Sequence, residues 1–139
     1  MTKFLFRGFA LIWIFGLFHE VQAQQWDILG NETGISAFSS SYTTITVLDE
    51  VPYVVYREST GPVARVKRKN PDTGIWQQVG DSIGSNITYT RIYQDKVNRL
   101  FVTYLDASNN NRLAVKIYNG SSQVWEPLNG DPDNLYVSS

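Results

Sequence analysis

The chain contains no cysteine and a single histidine, and these two scarcities set the first limits on its chemistry. Without cysteine there is no disulfide scaffold, thiolate metal site, iron–sulfur cluster or cysteine nucleophile. The one histidine, His19, lies in a segment expected to be removed, and Ser-His-Asp catalysis and histidine-held zinc go with it. An excess of one charge is missing too: 12 Lys and Arg stand against 13 Asp and Glu over 139 residues, a formal net charge of −1. That balance gives no electrostatic footprint for nucleic acid or for an anionic membrane. Nor does any apolar run reach the roughly 20 residues that a bilayer-spanning helix requires.

The N-terminal segment has a pattern of its own. Lys3 and Arg7 form a short positive region, an apolar run follows from Phe9 to Phe18, and Val21-Gln22-Ala23 supplies a peptidase cleavage pattern. This is the three-part order of a secretory signal peptide, so residues 1–23 are expected to be removed, leaving Gln24 as the new N-terminus. The expected location is secreted or cell-surface, which in a Gram-negative bacterium means the periplasm or outer surface. The remaining 116 residues hold no His, Cys or Met.

That remainder reads as all-β. Its 20 Val and Ile outnumber 11 Leu and Ala, and all eight Tyr are in it. Branched and aromatic side chains suit a pleated, half-buried surface. Short apolar runs alternate with turn clusters such as Glu58-Ser-Thr-Gly61-Pro62, Asn70-Pro-Asp-Thr-Gly74 and Asp106-Ala-Ser-Asn-Asn-Asn111. Gly, Pro, Asn and Asp at such places punctuate strands.

An internal repeat organises these runs. Trp26, Trp76 and Trp125 are 50 and 49 residues apart and open Trp26-Asp-Ile-Leu-Gly30, Trp76-Gln-Gln-Val-Gly80 and Trp125-Glu-Pro-Leu-Asn-Gly130. Tyr42 and Ile45 match Tyr89 and Ile92 at a shift of 47, and Tyr53 and Tyr56 match Phe101 and Tyr104 at 48. Val66, Lys67 and Asn70 match Val115, Lys116 and Asn119 at 49, so single-residue insertions collect in the turns. Four strands are expected per repeat: 42–48, 52–57, 63–69 and 75–80, then 89–93, 99–105, 112–118 and 124–128. Four short antiparallel strands in a period near 50 is the arithmetic of a kelch-length propeller blade. The expected fold is therefore a partial β-propeller over 24–139. It has an orphan strand at 26–30, blades over about 42–80 and 88–130, and an incomplete third repeat at 131–139.

Through Trp76-Gln-Gln-Val-Gly80, Pro52-Tyr-Val-Val-Tyr56 and Leu100-Phe-Val-Thr-Tyr104, the chain resembles secreted bacterial β-propeller repeat proteins of kelch-like or sialidase-like type. Asn70-Pro-Asp-Thr-Gly-Ile-Trp76 is similar to the Asp-box turn of sialidase-type propellers, a structural turn, but it starts with Asn and is one residue shorter. The resemblance implies architecture and leaves activity open. Two blades would leave broad apolar faces bare. The expectation is a product truncated from a longer gene; a ring of protomers, as in small lectins that build a propeller from two-blade chains, is the alternative.

The functional expectation is a non-enzymatic binding or scaffold module, with a glycan or a cell-surface protein as partner. The alternatives are a propeller lectin assembled from protomers and a remnant of a secreted glycan hydrolase. Trp26, Trp76 and Trp125 are candidate ligand-stacking residues, weighed against a role in packing between blades. Tyr42 and Tyr89 open the first strand of each blade, where loops near a propeller axis begin, and are candidate ligand contacts. Glu58, Asp106, Asp49 and Asp95 are the available carboxylates, but they recur at turns as structural groups do. No catalytic residue, cofactor or metal ligand is assigned. Asp106–Asn110 lacks the Gly of a calcium loop.

Overall fold

The computed structural model describes residues 34–128. The expected signal peptide, the orphan strand with Trp26 and the incomplete repeat at 131–139 lie outside the described residues.

The described chain forms two antiparallel sheets and, apart from one 3-10 turn at Ala107–Asn109, contains no helix. The first sheet runs β1 (Ser40–Leu48), β2 (Val51–Glu58), β3 (Val63–Lys69) and β4 (Trp76–Gln78) in chain order. A two-residue strand, β5 (Gly84–Ser85), pairs with the start of β3 at Val63 and Ala64. The second sheet runs β6 (Ile87–Gln94), β7 (Leu100–Asp106), β8 (Arg112–Asn119) and β9 (Val124–Pro127), again in chain order.

Local chemistry accounts for these elements. β2 is built from Val, Tyr and Pro, with Tyr53 to Tyr56 all buried. Asp49 and Glu50 both take positive φ between the paired residues Leu48 and Val51, the geometry of a two-residue type I′ hairpin turn. The third-to-fourth strand turns of the two sheets share one device. Asn70 Oδ1 accepts from the backbone N–H groups of Asp72 and Thr73, and Asn119 Oδ1 accepts from those of Ser121 and Ser122. Each turn closes through a left-handed residue, Gly74 in the first and Gln123 in the second, whose N–H returns to the Asn carbonyl. The Asn, and not the Asp of the box-like motif, is therefore what makes the turn.

Register decides which side chains share a face, because partners across an antiparallel ladder point the same way. In the first sheet, Val55 with Val66 and Arg57 with Ala64 lie on one face, and Val54 with Lys67 and Tyr56 with Arg65 on the other. In the second, Val102 with Lys116 and Tyr104 with Ala114 share one face, and Phe101 with Ile117 and Leu105 with Leu113 the other. The core joins the first of each pair: Val55, Ala64 and Val66 cluster with Val102, Tyr104 and Ala114. Val54 and Val102 are repeat equivalents, yet Val102 is in this interface and Val54 is on the far side of its own sheet. The two sheets are thus stacked in series, with like faces pointing the same way.

The strand expected over 75–80 is observed as Trp76–Gln78 only. Val79 still donates to Val66 O, but Gly80 turns to φ +68 and breaks the ladder before β5 resumes it. β7 alternates between buried and half-buried residues, because its Phe101, Thr103 and Leu105 face away from the first sheet. On β3, Arg65 and Lys67 are both engaged. Arg65 pairs with Glu58 at 2.9 Å, and Lys67 Nζ donates to Ile35 O at 2.6 Å.

Candidate ligand site at the tyrosine pair

β1 and β6 each form one edge of their sheet and lie beside each other without forming a ladder. Two threonines join them. Thr90 Oγ1 donates to the carbonyl of Tyr42, and Ile92 N donates to Thr44 Oγ1 at 3.1 Å. Both strands carry a bulge at the same repeat position, between Ser41 and Thr44 and between Thr88 and Arg91. Within each bulge sits a tyrosine at φ +52, Tyr42 in one strand and Tyr89 in the other.

A bulky side chain at positive φ is an outlier, costing about 1–2 kcal/mol. Among the described residues, the other non-glycine residues in this region are Asp49, Glu50, Gln123 and four asparagines, all between strands. Of these described residues only the tyrosines sit in strands, and the bulges that hold them there turn their rings outward. The two rings meet with centroids 4.8 Å apart and planes inclined by 42°. Tyr42 is 37 % exposed and Tyr89 63 %, whereas Tyr53, Tyr56 and Tyr104 are buried.

The pair opens a trough along the strand seam. A cavity of about 220 Å³ is lined by Tyr42, Thr43, Thr44, Tyr89, Thr90 and Arg91. Thr44 and Arg91 also line the next cavity, about 550 Å³, which extends to Thr46, Tyr93 and Gln94. No carboxylate lines either part.

The tryptophans behave differently. Trp125 is 3 % exposed, its indole N–H donates to Val79 O at 2.9 Å, and Tyr118 lies against it at 5.1 Å between centroids. No face of that ring is open to a ligand, so its contribution is to the packing between sheets. Trp76, at the equivalent place in β4, is half-buried beside Lys67 and Ile75 in a separate cavity. Of the candidates within the described residues, the structure brings together Tyr42 and Tyr89 and separates them from both tryptophans. Thr44, Thr90, Arg91 and Tyr93 were not singled out from sequence; their only signal was position, one to four residues after each repeat tyrosine.

The carboxylates serve the fold. Glu58 holds Arg65, Asp106 caps the 3-10 turn through Ser108 N, and Asp49 accepts from Asn98. Asp95 accepts from the Val97 and Arg99 backbone and from the Arg99 guanidinium. The Arg99 backbone N–H, foremost among these donors, holds the Asp95 carboxyl below the usual carboxylate range. Lys116 lines a cavity with Tyr104 and Asp106, and burial lowers its pKa against the opposing pull of Asp81. Its equivalent Lys67 lines a cavity with a different set of neighbours, Gly34 to Ala37 with Ile75 and Trp76. Among the described residues no three His, Cys, Asp or Glu converge as a metal site, and no helix is long and apolar enough to cross a membrane. Comparison of the chain with family models, with curated proteins and with solved structures returns no match in any of the three.

Proposed function

We propose that this chain is a non-enzymatic binding or scaffold module made of propeller-type blades, exported to the cell surface or beyond. The observation that carries the reading is the serial stacking of the two sheets. A two-sheet sandwich buries its inner faces against each other and has no use for further layers. Sheets that repeat in series, each presenting the same face toward the next, are what neighbouring blades repeated about an axis require. The face of the second sheet bearing Phe101, Leu105, Leu113, Val115 and Ile117 repeats the one that the first sheet buries, which supports a longer propeller. The structural employment of Glu58, Asp106, Asp49 and Asp95 supports a binding role over a hydrolytic one.

The test is a panel of fluorogenic glycosides and esters assayed with the secreted chain beside its Glu58→Gln and Asp106→Asn variants. No turnover is expected. Turnover that either substitution abolishes overturns the reading and restores a glycan hydrolase. A second reading, a lectin assembled from protomers, is favoured by the two outward tyrosine rings. Size-exclusion chromatography with light scattering separates it: a discrete trimer supports assembly, and a monomer removes it.

A further inference from the structure

We infer that the trough between β1 and β6 is a binding site for a neutral oligosaccharide, with the Tyr42 and Tyr89 rings as its stacking platform. The inference rests on the binding-module reading and adds the chemistry of the ligand.

Its starting point is the strained backbone. Strain persists where surrounding structure enforces it, and it concentrates at ligand clamps. Here two repeat-equivalent bulges enforce it at two aromatic residues, where glycine or asparagine would relieve it, and the product is a pair of rings in contact with each other and open to solvent. The Thr90 bond to the Tyr42 carbonyl and the Thr44 bond to the Ile92 amide fix the strand edges on which the rings stand. A platform held in this way is preorganised, so binding does not have to order it.

The lining then selects the ligand. Exposed aromatic faces take a flat apolar face such as the C–H side of a pyranose. Around them stand hydroxyls of Thr43 and Thr46, the tyrosine phenols, the Arg91 guanidinium and the Gln94 amide, which match a rim of sugar hydroxyls. Without a carboxylate the trough has no ion-pair partner for a cationic ligand, which Arg91 beside the rings also repels, and with Arg91 as its one cationic side chain it makes no cluster for a polyanion. From Tyr89 to Gln94 the strand advances five residues, about 16 Å at 3.3 Å per residue, which is longer than one sugar ring. The cavity that continues to Tyr93 accommodates further units.

The experiment titrates the full chain with cellotriose, chitotriose and mannotriose, and separately with decaproline and sialyllactose, following tyrosine fluorescence and the NMR signals of Tyr89, Arg91 and Tyr93. The panel is repeated with Tyr42→Gly, Tyr89→Gly and Tyr89→Phe. At least one neutral trisaccharide is expected to bind and to shift those signals. Each glycine variant should weaken it tenfold or more while melting at the same or a higher temperature, and Tyr89→Phe should bind within threefold of wild type. A residue needed only for folding would lower the melting temperature instead. Decaproline binding at the seam with no trisaccharide binding overturns the saccharide inference and leaves a peptide-binding module. Binding of sialyllactose alone overturns neutrality. Absence of every ligand, with the seam signals unmoved, removes this inference and the binding role of this face together. Trisaccharide binding that both glycine variants retain overturns the platform.

Discussion

A Cβ on Gly80 would lie 2.9 Å from both Cδ1 and Nε1 of Trp125, so the glycine ending one repeat is the seat for the tryptophan of the next. Gly80 also sits at φ +68, and Asp81 beside it accepts from the Trp125 backbone N–H at 3.1 Å. Gly80→Ala therefore brings overpacking and backbone strain together. We expect a loss of about 2–4 kcal/mol by urea unfolding, from the sum of those two effects. Trp125→Phe, which keeps a ring but strands the Val79 carbonyl, should lose about 2 kcal/mol. If Gly80→Ala were neutral, the seat would be looser than this geometry requires.

Gln123 holds a left-handed conformation that its counterpart Gly74 takes without a Cβ. Gln123→Gly should stabilise the protein by about 0.5–1 kcal/mol, and Gly74→Gln should destabilise it by a similar amount. Removing the shared anchor, by Asn70→Ala or Asn119→Ala, leaves two backbone N–H groups without their acceptor and should cost about 1 kcal/mol in each turn. Thermal melts of the four variants give these signs directly.

The Tyr56 hydroxyl is buried and has no hydrogen-bond partner among the described residues. Burial, reinforced by Glu58 and opposed by Arg65, raises its phenol above the ordinary range. A raised phenol gives stability that is present below the unfolded value, about 10, and lost as pH rises through the folded one. Tyr56→Phe should be neutral or stabilising near neutral pH, because it deletes an unpaired polar group. It should also flatten the alkaline fall in the urea midpoint. A clear destabilisation at neutral pH would contradict the unpaired state.

Asp95 works at the opposite end of the scale. Its depressed carboxyl gives stability that is present above the unfolded value and lost as pH falls through the folded one. Asp95→Asn should therefore be less stable than wild type at about pH 6, with the difference closing as pH approaches about 2. The gap at pH 6 should narrow with added salt, because the Arg99 ion pair is exposed.

Much of this architecture was legible as spacing. Eight of the nine strands among the described residues lie where apolar runs and turn clusters placed them, because burial of alternate side chains writes itself into the sequence at period two. β5 escaped because Gly84-Ser85 carries no side-chain pattern; its pairing comes from the chain returning to β3 after Gly80. The tyrosine positions were found through their 47-residue shift, but their φ values were not, since nothing in Tyr-Thr-Thr or Tyr-Thr-Arg announces a left-handed residue. Bulges imposed by the paired strand decide that. The partner of Trp125 was hidden for a related reason: Gly80 is 45 residues away, and only the stacking of the sheets brings them together.

The threonine contacts between β1 and β6 bear on how such a chain tolerates change. Two side-chain bonds, and not a continuous ladder, stitch the inner edges together. A residue gained or lost in an outer turn of one sheet therefore does not propagate into the register of its neighbour. Each unit keeps its own internal alignment, while the stitch, the shared core and the seat of Trp125 on Gly80 are preserved. Shifts of 47, 48 and 49 residues can thus coexist within one stack, and the outer turns can diverge in length while the inner edges stay aligned.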